Sequence, residues 1–319
     1  MLGRIGDMIL FTPFIEILKS KFPNSEIDVI CSSHNYPIIE NNPKINKIIK
    51  YTKKLWNYFS IISNLISQKY DIYIDSKDHY STESYIFSRI VRAKTKIGFA
   101  KENHNNFHYK ISKSSPIAKK HFSLKTMQPF EYLDIEIPKN PPKPILYENL
   151  NSKYDVSNFI TTLPAKSIKV HINISASKTI RMWSNENWLK IANKFKDNAN
   201  IVFIVTCEPI HLHLAEQLIS MNVYHFASRN ISDIISLIKE CDIVISPDTS
   251  IVHIASAYNK PIIALYTNKD QNYTSFAPLS DIQYSVFPTN GRGNINDIQA
   301  EAVIHHFQEL LNILQDAHN

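Results

Sequence analysis

Glycine is scarce in this chain, with five in 319 residues, and no G-x-G-x-x-G occurs. That excludes the glycine-rich fingerprint of dinucleotide binding. Cysteine is scarcer still. Cys31, Cys207 and Cys241 are odd in number and lack metal-type spacing, so neither a disulfide framework nor a Cys-based metal site fits them. They read as buried thiols of a reducing cytoplasm. No apolar run approaches the roughly 20 residues that span a bilayer. The N-terminal residues lack the basic, apolar and small-residue succession of a signal peptide. The expected location is the cytoplasm.

What is present is ordinary for a globular protein: 44% hydrophobic and 20% charged residues, in a length that accommodates two domains, each with its own core. Charge is unevenly spread. Residues 1–166 hold 24 Lys and Arg against 15 Asp and Glu, and the remainder 11 against 14. A basic first half suits an anionic partner such as nucleic acid, a phosphorylated glycolipid or a membrane surface. A Lys- and Asn-rich surface with no partner reads the same way. No nucleic-acid-binding motif accompanies the basic half.

Apolar periodicity predicts alternating elements in the first half. Helices are expected over 12–21, 55–67 and 81–92, and strands over 26–31, 70–75 and 96–99. The run Ile137-Pro138-Lys139-Asn140-Pro141-Pro142-Lys143-Pro144 continues neither a helix nor a central strand. It separates an expected domain 1–144 from a second, 145–319. In the second, strands are expected over 167–174, 201–206, 243–245 and 260–266, with helices over 185–195, 210–221, 231–239, 254–258 and 300–314. Such alternation predicts an α/β fold of parallel sheets with helices on both faces, repeated in two domains with a cleft between them.

Ser246-Pro247-Asp248-Thr249-Ser250-Ile251-Val252-His253 follows the β-branched run Ile243-Val244-Ile245 and precedes a helix-like segment. Hydroxyls, an acid and an imidazole at a strand-to-helix turn suit phosphate binding at exposed helix N–H groups. The same residue types also simply cap helices. The strand-like Pro261-Ile262-Ile263-Ala264-Leu265 that follows completes the unit whose carboxyl edge binds ligands in open α/β sheets. At the other end, Leu2-Gly3-Arg4-Ile5-Gly6-Asp7 sets a carboxylate at the start of a helix. It suits a general base, and equally a capping aspartate on the helix dipole.

Arg4-Ile5-Gly6-Asp7 with Thr12-Pro13, Pro23-Asn24-Ser25-Glu26-Ile27-Asp28-Val29 and Glu40-Asn41-Asn42-Pro43 resembles the opening of glycosyltransferase family 9, the heptosyltransferases of lipopolysaccharide core assembly. Tyr70-Asp71, Gly98-Phe99, Ser175-Ala176-Ser177, Arg181-Met182-Trp183 and Pro247-Asp248-Thr249-x-x-x-His253 continue the likeness in order along most of the chain. The resemblance implies a GT-B fold, two Rossmann-like domains with parallel sheets facing a central cleft. An N-terminal acceptor domain and a C-terminal nucleotide-sugar domain are expected, the terminal helix packing back on the first. It implies inversion at the anomeric centre without a metal or other cofactor, with ADP-heptose as donor.

Residue by residue, Asp7 matches the base that deprotonates the acceptor, and Arg181 stands where the family has a basic residue, usually Lys, two positions before the Trp. Ala176 and Ser177 fall near the donor phosphates. Glu208 matches an acid that contacts the nucleoside, and Asp248, Thr249, Ser250 and His253 the diphosphate and sugar. Ser250 departs from the Gly found in many relatives. The basic set Lys53, Lys54, Lys113, Lys119, Lys120 and Lys125 offers cations for acceptor phosphates or lipid headgroups, of which Lys113, Lys119 and Lys120 are the acceptor candidates. The family's short strand before the first turn has no counterpart here ahead of Gly3. From that departure follows the expectation of a late-assigned start or a truncated chain, with a weakened first sheet.

The reading is therefore a cytoplasmic glycosyltransferase, peripheral at the inner membrane, that moves heptose from ADP-heptose to the lipopolysaccharide or lipooligosaccharide core and binds no nucleic acid. A family 9 transferase of another sugar, a GT-B-fold sugar-nucleotide epimerase and a non-catalytic sugar-nucleotide-binding relic are the alternatives.

Overall fold

A computed structural model of the protein describes residues 3–52, 54–101, 105–220, 222–289 and 293–316. Lys53 and Leu2, the first residue of the N-terminal motif, lie outside the described residues. The chain divides into two compact units, Met1–Pro142 and Lys143–Asn319. The division falls inside the proline-rich run.

The first unit runs α1 (Ile5–Lys21), β1 (Asp28–Ser32), α2 (Tyr36–Ile39), β2 (Lys47–Tyr51), α3 (Leu55–Ser67), β3 (Lys69–Asp75), α4 (Thr82–Ile90), β4 (Arg92–Phe99), β5 (Tyr109–Ile111) and α5 (Phe122–Thr126). Helix α1 begins seven residues before its expected start, because Pro13 stands inside it rather than at its first turn. A proline there cannot donate to the carbonyl four residues back. The Thr12 hydroxyl donates to that carbonyl, on Ile9, at 2.8 Å, so the helix passes through. Met8 to Ile15 are all buried, as in a helix enclosed on every side.

All described strand pairs of this unit are parallel, but they form two sheets, β1–β2 and β3–β4–β5, instead of one. Between them lies a cavity of about 900 Å³ lined by residues 27–30 and 69–77, with Phe14, Leu18 and Phe87 closing its sides. Strand β1 pairs with β2, and β3 with β4. Parallel strands are ordinarily covered on both faces; here Ile72 of β3 is 38% exposed.

The second unit runs α6 (Leu150–Ile160), β6 (Ile168–Asn173), α7 (Asn185–Lys194), β7 (Ile201–Thr206), α8 (Leu212–Leu218), β8 (Val223–His225), α9 (Ile231–Glu240), β9 (Ile243–Pro247), α10 (Ser250–Ala257), β10 (Ile262–Leu265), α11 (Gln271–Phe276), β11 (Gln283–Val286) and α12 (Ala300–Asp316). Its single parallel sheet has the order β11-β10-β9-β6-β7-β8. Taken in sequence order within the unit, that is 3-2-1-4-5-6 read from the β8 edge, the doubly wound arrangement. The strands are near-continuous Ile and Val runs because both faces are covered. Helix α12 buries Val303, Phe307 and Leu310 in this unit's core. At the sheet centre, burial pulls the His171 imidazole down to about 3; it is neutral and bonds Thr206 Oγ1 at 2.8 Å.

The flanks of the first unit, β2-β1 and β3-β4-β5, reproduce the two halves of that order, with no described strand where β6 stands in the second. A strand with few buried side chains opens at low cost. Amides of residues 69–75, in the largely exposed β3, are therefore expected to exchange with deuterium well before those of the buried β7 and β9. Equal protection in a peptide-resolved exchange experiment would contradict this account of the first unit.

Candidate active site

Strands β6 and β9 are neighbours, in register from Val170↔Ile243 to Ile172↔Ile245. The chain leaves β6 toward β7 and leaves β9 toward β10, on opposite sides. Their carboxyl ends thus form the switch point at which open α/β sheets bind ligands. One residue beyond the last apolar pair, both strands turn polar, at Asn173 and Ser246. The buried Asn173 amide donates to Ser175 O at 3.0 Å, Ser246 Oγ at 3.2 Å and Thr249 Oγ1 at 3.2 Å, and its Oδ1 accepts from Ser175 N at 3.3 Å. It fastens the 174–177 loop to the 246–250 turn.

Helix α10 begins at Ser250, four residues before the expected start. Thr249 is its N-cap, accepting from Ile251 N at 3.3 Å, so the capping role considered for these residues is real for Thr249. Ser250 occupies the first helical position and is half-buried; His253 is buried within the first turn, its ring 6.1 Å from that of Phe276.

Arg181 closes a short 3-10 turn, Thr179–Arg181. Two residues on, Trp183 is buried, donates its indole N–H to Ile298 O at 2.9 Å and packs edge-on against Trp188. That anchor fixes where the guanidinium can reach. Arg181 Nη1 stands 3.0 Å from Asp248 Oδ2 and 3.4 Å from Asp248 O. Asn272 Nδ2 donates to the same carboxylate oxygen at 3.2 Å. A largely buried cation and anion are thus held together at the carboxyl edge of β9, where an incoming diphosphate would meet a preplaced guanidinium fork.

Ala176 is buried and Ser177 exposed in the loop after β6. Glu208, after β7, is exposed; its N–H donates to Ser175 Oγ at 2.8 Å, and that hydroxyl bonds His211 Nδ1 at 3.0 Å. The structure therefore sets two hydrogen-bonded groups side by side at the adjacent residues 248 and 249: Arg181, Asp248 and Asn272 in one, and Asn173, Ser175, Thr249, His211 and the backbone of Glu208 in the other. Of these, Asn173, His211 and Asn272 carry no signal in the sequence reading. An Asn at a strand end carries no periodic signal, although a polar residue terminating an Ile-Val run is the place to look for one.

In the first unit, Asp7 is the third residue of α1, and its Oδ2 accepts the Arg4 backbone N–H at 2.8 Å. A Cβ on Gly3 would stand 2.5 Å from that oxygen, so a larger residue there would displace the Asp7 carboxylate. Burial raises the Asp7 carboxyl above its ordinary value, against the lowering by the Arg4 N–H and charge; the charges of Asp78 and His79 act on it in opposite senses. Asp78 is bound by Lys125 and, at 2.9 Å, by His79, which commits Lys125 of the basic set. Lys113, Lys119 and Lys120 are exposed between β5 and α5.

The sequence profile described as glycosyltransferase family 9 (heptosyltransferase) matches residues 58–298, more than half of the chain. Lipopolysaccharide heptosyltransferase 3 of Escherichia coli (strain K12) is 23% identical over 279 residues, 83% of this chain and 80% of that protein. Among solved structures, the glycosyl transferase family 9 protein of Veillonella parvula DSM 2008 superposes with a TM-score of 0.82 at 18% identity, over 98% of this chain and 95% of that one. The E. coli heptosyltransferase WaaC with ADP gives 0.78 at 16% identity, over 97% and 98%. These likenesses show the fold.

Asn173→Ala removes the bridge and leaves hydroxyl and carbonyl partners without their donor. It is expected to cost about 1–3 kcal/mol in urea unfolding of the second unit. A change within error would show that the loop and turn are held by other contacts.

Proposed function

The chain belongs to glycosyltransferase family 9, and from that premise we propose that it moves heptose from ADP-heptose to the lipopolysaccharide or lipooligosaccharide core. It is a glycosyltransferase; the donor, the acceptor and the stereochemistry are the proposal. The observation that carries it is the Arg181–Asp248 pair beside the capped turn at the switch point of the second sheet. Cation, hydroxyls and a helix N-terminus converge there in the chemistry that a nucleoside diphosphate requires. The 80% coverage of the heptosyltransferase 3 sequence supports the sugar and the acceptor class, and the E. coli WaaC structure was solved with ADP.

In this reading the carboxylate of Asp7 takes the proton from the acceptor hydroxyl as that oxygen attacks the anomeric carbon. The carbon–oxygen bond to ADP breaks, and ADP leaves with the electron pair. Arg181 and the N–H groups at the start of α10 stabilise the charge that gathers on the diphosphate. Attack opposite the leaving group inverts the anomeric centre. The protein's own cation meets the diphosphate charge, so the scheme uses no metal. Ser177 and Ser250 supply hydroxyls to the phosphates, Glu208 meets a ribose hydroxyl, and His253 donates to a phosphate or sugar oxygen. Lys113, Lys119 and Lys120 would meet acceptor phosphates. No helix among the described residues is long and apolar enough to cross a membrane; the proposed setting is peripheral, at the cytoplasmic face.

Asp7→Ala is expected to abolish transfer while ADP affinity by calorimetry stays within about twofold. Loss of both together would remove the base assignment. Because burial holds the Asp7 carboxyl up, the acidic limb of kcat/KM should lie above the ordinary aspartate value of about 3.9, with activity rising as pH climbs through it. Arg181→Ala should weaken ADP by roughly 10- to 100-fold; unchanged affinity would free Arg181 of its role.

A further inference from the structure

Helix α3 departs from the usual composition of a surface helix. Among its described side chains the exposed ones are Trp56, Phe59, Ser60, Ser63, Ile66 and Ser67, none of them charged. Trp56 is 87% exposed, Phe59 62% and Ile66 47%. The helix already has a core face: Ile61 and Leu65 are buried with Ile49, Phe87 and Val91. The aromatics therefore form a second apolar face, turned to solvent. One exposed apolar side chain is normal, whereas three on one helix face, with only Ser60 and Ser63 between them, mark an interaction site.

Cations border the stripe. Lys54 is the exposed N-cap of α3. Lys47 is exposed and donates to Asn64 Oδ1 at 2.7 Å, which places it along the flank. Arg92 Nη1 stands 3.4 Å from Ile66 O at the C-terminal end, and exposed Lys69 follows the last turn. The helix itself contains no Asp or Glu. An apolar face with tryptophan and phenylalanine, rimmed by lysine and arginine, fits the boundary between acyl chains and negatively charged headgroups. A soluble partner protein would explain the apolar stripe without calling on the cations at its border.

We propose that α3 seats its Trp56–Phe59–Ile66 face in an anionic lipid surface. The proposal rests on the geometry of the first unit and is independent of the donor chemistry assigned to the second. It gives the peripheral setting a specific point of attachment.

The chain carries its own reporter. Of its three tryptophans, Trp183 and Trp188 are 3% and 1% exposed, so a change in emission on adding lipid reads Trp56. The full chain is mixed with vesicles of phosphatidylglycerol and phosphatidylethanolamine, or of phosphatidylcholine alone, at low salt. Co-sedimentation with the anionic vesicles, a blue-shifted emission and protection from acrylamide quenching are expected, with partitioning roughly tenfold stronger than to phosphatidylcholine. The W56S/F59S variant should lose about tenfold or more of that partitioning while its thermal unfolding and ADP affinity stay unchanged, since both side chains are exposed. K47E/K54E should lose the preference for anionic vesicles. Vesicle binding with the Trp56 emission unmoved would place the attachment elsewhere and overturn the proposal. No binding to either vesicle would also overturn it. So would a concentration-dependent dimer dispersed by W56S/F59S, which would make the face a contact between copies of this chain.

Discussion

The divergence of the chain at β6 and β9 is the constraint on which the second unit's chemistry depends. Two parallel strands side by side, each buried on both faces, carry their apolar residues up to the pair Ile172↔Ile245. Beyond it the connections part, and the polar groups at the strand ends have no further strand to satisfy them. Asn173 resolves that by bridging one strand's exit to the other's. A fork in an otherwise dry sheet thereby becomes a polar platform of fixed geometry.

The ionic groups are mounted on that platform in advance. Trp183 is pinned to Ile298 O, so Arg181 reaches Asp248 from a defined direction. A charge pair this buried is costly to leave half-made. The guanidinium is therefore positioned before any ligand arrives, and under the proposed function a diphosphate would compete for a cation already oriented. Asp7 is handled in a similar way: one carboxylate oxygen is tied to the Arg4 N–H while burial works against its charge. In each unit a charged side chain is held in place by its own segment, and in the proposed mechanism preorganisation of that kind lowers the cost of stabilising charge as it develops.

Much of the second unit was legible in the sequence. Ile201–Thr206 is an uninterrupted β-branched and aromatic run, and the polar turn at 246–250 announces itself because Ile243-Val244-Ile245 ends so sharply. The start of α10 lies ahead of the expected one because Ser250 to His253 look like loop chemistry, although Thr249 caps a helix that includes them. Pro13 misled in the opposite way: proline usually marks a first turn, and only the Thr12 hydroxyl on Ile9 O reveals that the helix continues through it. Asn173, His211 and Asn272 were missed because their roles arise from residues far away in sequence that the fold brings to them. Strand pairing was equally hidden. The separation of β1–β2 from β3–β4–β5 follows from which edges meet, and hydrophobic periodicity carries no information about that. The uncharged outer face of α3, by contrast, sits openly in the sequence and gained meaning only once Ile61 and Leu65 were seen to bury the other side.

The most direct test of the account is transfer itself. The full chain is incubated with ADP-heptose and heptose-deficient core lipopolysaccharide, and the acceptor is examined by mass spectrometry and by the anomeric signals of the product. The account predicts that the core gains one heptose residue of inverted configuration in step with ADP release, without added metal. ADP-heptose that is isomerised in the absence of acceptor, or a core that gains no sugar while the donor remains bound, would contradict it.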